Sequence, residues 1–199
     1  MVDIQAVQLW RKFFVVLGSL ALLMLTFRIQ ALPSWEHPVE HLGLIAIMVC
    51  VIGRAWCSLY VGGRKKREVV QIGPYSICRN PLYVFSFFGA FGVGAQTGSL
   101  SVGAIFAVSG WLIFRVVVAY EERFLTETFG EKYAEYRERT PRFLPKPALW
   151  RDASELTIRP ALFRRTVMDG ALFLLALPLF ESIERLQRWA WADAVLRLP

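Results

Sequence analysis

Cysteine, histidine and charge are all scarce in this chain. The three cysteines, Cys50, Cys57 and Cys78, form no CxxC pair, and only two histidines are present. This excludes a disulfide framework and gives no basis for a metal site. Charged residues make up 20% of the sequence and hydrophobic residues 55%, with a mean hydropathy of +0.42. A single soluble core of 199 residues does not bury that much apolar surface, so the composition predicts an integral membrane protein.

Both histidines lie in the stretch His37-Pro38-Val39-Glu40-His41, which matches the HxxEH pattern of some zinc peptidases. That pattern has to lie on a helix, and Pro38 is unfavourable in a helix interior. We therefore predict that this stretch begins a helix and that it binds no metal.

Long apolar stretches predict four or five membrane-spanning helices, because one span needs about 20 residues. The predicted spans are residues 13–32, about 42–61, two within 81–120, and 166–180. The stretch 81–120 is long enough for two helices, and Gln96-Thr97-Gly98-Ser99 interrupts it, which predicts a helical hairpin. The stretch 166–180 is short and contains Asp169 and Pro178, so it crosses, dips or lies at the interface; we predict that it crosses.

The predicted fold class is therefore an all-α, polytopic bundle of four or five transmembrane helices, with residues 1–199 forming one membrane domain. Its basic residues lie between apolar segments and not among exposed aromatic residues, so the predicted partner is the lipid bilayer and not nucleic acid. They are concentrated in the link between spans two and three, at Arg64, Lys65, Lys66, Arg67 and Arg79. By the positive-inside rule, this link and the N-terminus are cytoplasmic, and so is the stretch 121–165.

Two cytoplasmic segments, 73–83 and 121–142, are thus expected to meet at one membrane face. Asn80 and Pro81 form a favourable start for span three, whose free N–H groups could bind an anion. Glu121 and Glu122 are expected at the C-terminal end of span four, where the helix dipole favours a cation. S-adenosylmethionine carries a carboxylate, an ammonium and a sulfonium and would suit such a site. In the alternative interpretation, Asn80 and Pro81 only cap a helix, and the glutamates only mark the end of a span.

Sequence motifs distinguish between these interpretations. GPYSICRNPLY at 73–83 is followed by EERFL at 121–125, FGEKYAEY at 129–136 and PRFLP at 141–145. This series resembles the isoprenylcysteine carboxyl methyltransferase family over a core of about residues 60–145. The resemblance implies that the cofactor S-adenosylmethionine is bound by Tyr75, Arg79, Asn80, Pro81, Tyr83, Glu121 and Glu122. It also implies that Arg137 and Arg142 face the methyl acceptor as catalytic residues.

One position departs from the family pattern, which has Arg-His-Pro where this chain has Arg79-Asn80-Pro81. Asparagine keeps the hydrogen-bonding capacity but has no ring that can stack or titrate. Arg54, inside the second span, is a candidate substrate-binding residue for an anionic group; otherwise it only extends to the interface. Phe85, Phe87, Phe88 and Phe91 form an aromatic face that either meets lipid and core or lines a tunnel for a lipid chain.

The predicted function is methyl transfer from S-adenosylmethionine to a lipophilic acceptor, in the first place a carboxylate such as a prenylcysteine-like group. Three alternatives share parts of the same pattern. They are a phospholipid or amine N-methyltransferase, a membrane NADPH-dependent reductase, and a non-catalytic membrane scaffold. The sequence does not give the oligomeric state.

Overall fold

The computed structural model describes residues 29–31, 36–64, 67–189 and 196–198. Apart from two short strands, these residues form a helical bundle. The helices are α1 (Glu36–Val61), α2 (Pro74–Ile77), α3 (Pro81–Ala95), α4 (Leu100–Phe129), α5 (Glu131–Arg139), α6 (Pro160–Ala171) and α7 (Ala176–Trp189), with single 3-10 turns at Pro147–Leu149 and Leu172–Leu175. Strand β1 (Ile29–Ala31) pairs in parallel with β2 (Leu196–Leu198). The helical fold class is thus confirmed.

Three helical stretches are long and apolar enough to cross a membrane: His37–Val61, Leu100–Phe129 and Pro160–Ile183. Helix α3 is apolar but has only 15 residues, about 22 Å, which is shorter than the ~30 Å hydrocarbon core of a bilayer. The predicted first span, 13–32, falls mostly outside the described residues, and its part at Ile29–Ala31 is a strand and not a helix. The chain is an integral membrane protein.

The predicted hairpin of α3 and α4 is confirmed. The turn between the helices contains Gly98 with φ 73°, and the side chain of Ser99 accepts a hydrogen bond from the backbone N–H of Val102 at the start of α4. Helix α3 packs closely against α1 because glycines meet there. A Cβ atom at Gly92 would lie 2.6 Å from the carbonyl oxygen of Gly43 and 2.7 Å from Cγ1 of Ile47. Small residues in this stretch permit the close approach.

Helices α6 and α7 run antiparallel to α1. Near the start of α6, Leu162 lies beside Gly62, and further along Gly170 lies beside Val51. Beyond the 3-10 turn, Ala176, Phe180 and Ile183 pack on Ile47 in the apolar core. The stretch predicted to cross, 166–180, therefore lies within a continuous apolar path of membrane-spanning length.

One helix boundary differs from the prediction. Helix α4 does not end near Glu121 but continues to Phe129, where Gly130 with φ 54° terminates it. No proline or glycine interrupts the helix before Gly130, and a 30-residue helix, about 45 Å long, extends beyond the hydrocarbon region. Glu121 and Glu122 thus lie inside a helix. The expectation that they sit at its negative end was wrong.

Candidate active site

The first motif segment is a tight loop against the end of α1. Gly73 has φ 57°, and a Cβ atom there would lie 2.2 Å from the ring of Tyr60, so only glycine fits without a shift. Its N–H donates to the carbonyl oxygen of Arg151 (2.7 Å), and the hydroxyl of Ser76 accepts from the N–H of Arg151 (3.0 Å). The irregular segment after α5 therefore holds this loop in place.

The second motif segment lies directly on the first. The N–H of Arg79 donates to the carbonyl oxygen of Pro141 (2.9 Å), and the N–H of Lys146 donates to that of Ile77 (3.0 Å). The hydroxyl of Tyr136 on α5 donates to the carbonyl oxygen of Tyr75 (2.6 Å). The two segments predicted to meet are thus in contact through hydrogen bonds.

Glu122 is the centre of a buried network of charges. Its side chain is 5% exposed, and Oε2 accepts a hydrogen bond from Nε of Arg142 at 3.0 Å. Oε1 accepts from the amide Nδ2 of Asn80 at 3.2 Å. Nε of Arg79 lies 3.3 Å from Oε1, an ion-pair distance, but its orientation makes no hydrogen bond. Two guanidinium groups therefore neutralise one buried carboxylate.

Asn80 takes part in this network and does not cap a helix with its side chain. It occupies the N-cap position of α3 and Pro81 the first turn, as predicted, but no side-chain capping bond forms. Instead Nδ2 donates both to Glu122 and to the carbonyl oxygen of Arg142 (3.2 Å). The predicted capping role of the side chain was wrong. The amide does not ionise near neutral pH, so it serves as a fixed donor.

A cavity of about 690 Å³ begins at this network and extends between α1, α3, α6 and α7. Five of the predicted cofactor residues line its polar part: Tyr75, Arg79, Asn80, Tyr83 and Glu121. The candidate substrate residue, Arg54, also lines the cavity and lies further in. The hydroxyl of Tyr83 donates to Oε1 of Glu121 at 3.1 Å. The deeper lining is mostly apolar and includes Val93, Phe173, Leu175, Ala176 and Leu179.

Four of the predicted site residues are not in the cavity lining: Pro81, Glu122, Arg137 and Arg142. Glu122 and Arg142 lie behind the lining, paired with each other. Arg137 is exposed, and its carbonyl oxygen accepts a hydrogen bond from Nη1 of Arg79 at 2.9 Å. A direct role of Arg137 and Arg142 toward the acceptor stays a prediction.

The cavity also contains polar residues that the sequence analysis did not single out as site residues: Tyr133, Tyr136, Ser86, Thr166 and Asp169. The two tyrosines are three residues apart, hence on one face of α5, and this spacing was the available signal. No sequence signal pointed to Ser86 or Asp169, because their position in the cavity depends on how α3 and α6 pack.

Burial changes the acidity of the groups around the polar part. Desolvation raises the pKa of Tyr133 to about 12 and that of the Cys78 thiol to about 11. It also raises the pKa of Tyr136 above its ordinary range. These groups are neutral at physiological pH. The tyrosines offer neutral hydroxyls and aromatic faces, which suit a cation such as a sulfonium.

No metal site accompanies this cavity: no group of three or more metal-binding side chains occurs among the residues that the structure describes. The HxxEH stretch begins α1, as predicted, with Pro38 in the first turn, where proline is tolerated. Nδ1 of His41 lies 2.6 Å from the carbonyl oxygen of His37, within that turn.

The fold and the cavity define the class of protein: a helical integral membrane protein whose polar site opens into an apolar space between its helices. Comparisons with known proteins agree with this class. The phospholipid methyltransferase family matches residues 41–132. The chain is similar to the cobalt-zinc-cadmium resistance protein CzcN of Cupriavidus metallidurans, with 42% identity over 71% of this chain and 65% of the relative.

Two further relatives extend the comparison. The nickel-cobalt-cadmium resistance protein NccN of Alcaligenes xylosoxydans xylosoxydans is 33% identical over 96% of this chain and 88% of the relative. The protein-S-isoprenylcysteine O-methyltransferase of Rattus norvegicus is 35% identical over 61% of this chain and 51% of the relative. No solved structure matches the chain.

The chain belongs to the family of NccN, and its matches to the phospholipid methyltransferase family and to the rat enzyme support the resemblance to the isoprenylcysteine carboxyl methyltransferases. It spans 65% of the length of CzcN and about half of the length of the rat enzyme.

Proposed function

We propose that this protein transfers a methyl group from S-adenosylmethionine, bound at the cytoplasmic face, to a lipophilic acceptor that enters from the bilayer. The observation that carries this proposal is the single cavity, which joins a polar part at the two motif segments to an apolar part between membrane helices. A polar cofactor and a lipid-like substrate can therefore meet without either crossing the environment of the other.

The polar part fits the groups of the cofactor. Arg79 lines the cavity, and its guanidinium is suited to the carboxylate of the cofactor. Glu121 lines the cavity with Tyr83 bonded to it, and it suits an ammonium or a ribose hydroxyl. Tyr75, Asn80 and Tyr133 complete this part of the site.

The protein mainly has to align the reactants and exclude water. S-adenosylmethionine supplies an electrophilic methyl group whose C–S bond breaks as the acceptor attacks in line, the electron pair remaining on sulfur. Glu122, with Arg79, Asn80 and Arg142, fixes the loop before α3 relative to α4 and so sets the geometry of the polar part. The apolar lining excludes water from the acceptor. Arg142 thus acts as a positioning residue through Glu122.

The acceptor we favour is a carboxylate on a lipophilic molecule, of the kind found in prenylated cysteine. A carboxylate is nucleophilic at neutral pH, so the site needs no general base for it, and the raised pKa values of Tyr133 and Tyr136 keep both hydroxyls protonated there. An amine acceptor, as in phospholipid N-methylation, would need a residue to remove a proton. The names of two relatives concern metal resistance, and neither name states an acceptor.

A nicotinamide reductase is the second candidate and would need a cationic group for the additional phosphate. Arg79 and Arg142 are both paired with Glu122 in the part of the chain that the structure describes. This pairing disfavours a second phosphate on Arg142, which does not line the cavity, and competition between NADPH and S-adenosylmethionine distinguishes the two candidates.

The test is calorimetry of S-adenosylmethionine and its demethylated product with the detergent-purified chain. Wild-type protein should bind both, and Glu121→Ala should lose most of this affinity because the variant lacks the carboxylate that lines the cavity. Glu127→Ala, an exposed position on the same helix, should bind like wild type. Absence of cofactor binding by folded wild-type protein would overturn the proposal and favour the reductase, if NADPH binds, or a scaffold if neither does.

A further inference from the structure

The cavity contains a second pair of charged residues that the cofactor proposal does not use. Arg54 on α1 and Asp169 on α6 both line it, and both belong to helical stretches that can span a membrane. Arg54 lies about 10 Å along α1 from the end of the helix at Val61. A charged side chain at such a depth is costly unless it faces a partner, water or a polar ligand.

Arg54 is held in one orientation but keeps free donors. Its Nη1 donates to Oγ of Ser86 (2.5 Å), whose own hydroxyl donates to the carbonyl oxygen of Leu82 (2.9 Å). Nε of Arg54 is buried and has no hydrogen-bond partner among the described residues. A guanidinium that lines the cavity and is bonded through only one of its nitrogens within the described residues is suited to an anion in the cavity.

Asp169 lines the same cavity as Arg54 without pairing with it. The adjacent residue, Gly170, contacts α1 at this level, since a Cβ atom there would lie 3.9 Å from Nε of Arg54. Yet no ion pair joins Arg54 and Asp169 within the described part of the chain. Two opposite charges on neighbouring helices thus border the same space, and a ligand carrying both charges would satisfy both.

Arg54 and Asp169 lie deeper in the cavity than the predicted cofactor residues, at a position that suits the polar headgroup of a substrate. Ser86, which holds Arg54, comes one helical turn after Tyr83, which contacts Glu121. One turn of α3 is about 5 Å. The charged pair therefore lies between the polar part of the cavity and the apolar lining around Phe173 and Leu179.

We propose that Arg54 and Asp169 form the headgroup subsite of the methyl acceptor and that this subsite takes a zwitterionic amphiphile. The anionic group binds Arg54, the ammonium binds Asp169, and the hydrocarbon chain extends along the apolar lining. The proposal rests on the proposed function and narrows its acceptor. A lipidated amino acid and a phosphoethanolamine lipid share this pair of charges, and the experiment separates them.

The experiment measures binding of matched amphiphiles to the full chain in a non-ionic detergent. S-dodecylcysteine and its N-acetyl derivative differ only at the amino group, which is an ammonium in the first and a neutral amide in the second. Dodecylphosphoethanolamine and its N-acetyl derivative form the corresponding phosphodiester pair. We expect wild-type protein to prefer the zwitterion of at least one pair about tenfold, a difference typical of one charge-assisted hydrogen bond. Preference within the cysteine pair alone assigns an amino-acid head, and preference within the phosphate pair alone assigns a phospholipid head.

Two variants test the residues. Asp169→Asn should remove the preference for the zwitterion. Arg54→Gln should weaken the binding of both members of a pair about tenfold. Arg115→Gln on α4 and Glu181→Gln on α7 are matched controls, because both residues are exposed and neither lines the cavity. Both controls should bind like wild type.

Cofactor binding in the same samples separates the possible failures. If wild type binds S-adenosylmethionine but shows no zwitterion preference, this inference is overturned and the proposed function stands. If Arg54→Gln loses cofactor binding, Ser86→Ala is used in place of that variant. Ser86→Ala removes only the hydroxyl that holds Arg54, so it should weaken amphiphile binding and leave cofactor binding unchanged. If Asp169→Asn and Arg54→Gln lower the melting temperature and leave the preference unchanged, the pair is structural and the subsite is rejected.

Discussion

The motif segments and the membrane helices of this chain are held together by different forces. Around Glu122, segments distant in sequence are joined by ion pairs and hydrogen bonds to Arg79, Asn80 and Arg142. Where α1 meets α3, by contrast, contact depends on Gly43 and Gly92 and on the closeness of two backbones. The comparison teaches that the polar site can be disrupted by removing one charge, whereas the membrane part is sensitive to added volume.

The largest expected effect is that of Glu122→Ala. Removing this carboxylate leaves the buried guanidinium of Arg79 without its counterion, which costs about 3 kcal/mol, and frees the half-exposed guanidinium of Arg142. We expect a lower melting temperature and loss of cofactor binding, measured by thermal unfolding and calorimetry in detergent. Glu122→Gln keeps one acceptor oxygen and should be intermediate. A variant as stable as wild type would show that the network does not hold the site together.

Gly92→Ala tests the membrane part. The added Cβ atom would meet backbone and side-chain atoms of Gly43 and Ile47 at 2.6 to 3.0 Å, so we expect a loss of about 2 kcal/mol. Gly110→Ala is the matched control, because its Cβ atom would lie 3.4 Å from that of Ala90, a contact that needs little adjustment. Thermal unfolding of the two variants should differ, and equal melting temperatures would refute close packing of α1 on α3.

Alkaline pH should lower the stability of the folded protein because the hydroxyl of Tyr133 is buried. The pKa of Tyr133 is 10.0 in its unperturbed state and about 12 in the folded protein, because burial penalises the phenolate. Below pH 10 both states keep the proton and this residue adds no pH dependence. Above pH 10 the unfolded chain loses the proton first, so stability falls as pH rises toward 12, by up to about 2 kcal/mol. Melting temperatures of Tyr133→Phe should fall less steeply between pH 9 and pH 11 (about the range accessible in detergent) than those of wild type.

The smallest effect concerns a single hydrogen bond between the motif segments. Tyr136→Phe removes the 2.6 Å bond to the carbonyl oxygen of Tyr75 and should cost about 1 kcal/mol. Tyr133→Phe is the comparison at neutral pH, since the hydroxyl of Tyr133 makes no hydrogen bond within the described residues. Chemical or thermal unfolding at pH 7 should show that Tyr136→Phe is less stable than Tyr133→Phe. The reverse order of stability would contradict this account.

Much of the bundle could be predicted from the sequence because the bilayer constrains it strongly. A span must be apolar and about 20 residues long, so composition alone located α1, the hairpin of α3 and α4, and the path from α6 to α7. The end of α4 was not predicted correctly. The thickness of the bilayer limits the length of the apolar stretch but not the length of the helix, and α4 continues until Gly130.

By itself, the sequence determined that the chain lies in a membrane, that two motif segments meet, and which methyltransferases it resembles. These properties follow from local composition and from residue order. Only the tertiary structure decided that Glu121 lines the cavity while the adjacent Glu122 lies behind it, and that Asn80 bonds to Glu122 instead of capping α3. It also placed Arg54, Ser86 and Asp169 around one space. The physical reason is that neighbours on a helix point in different directions, and what each one meets depends on how the helices pack.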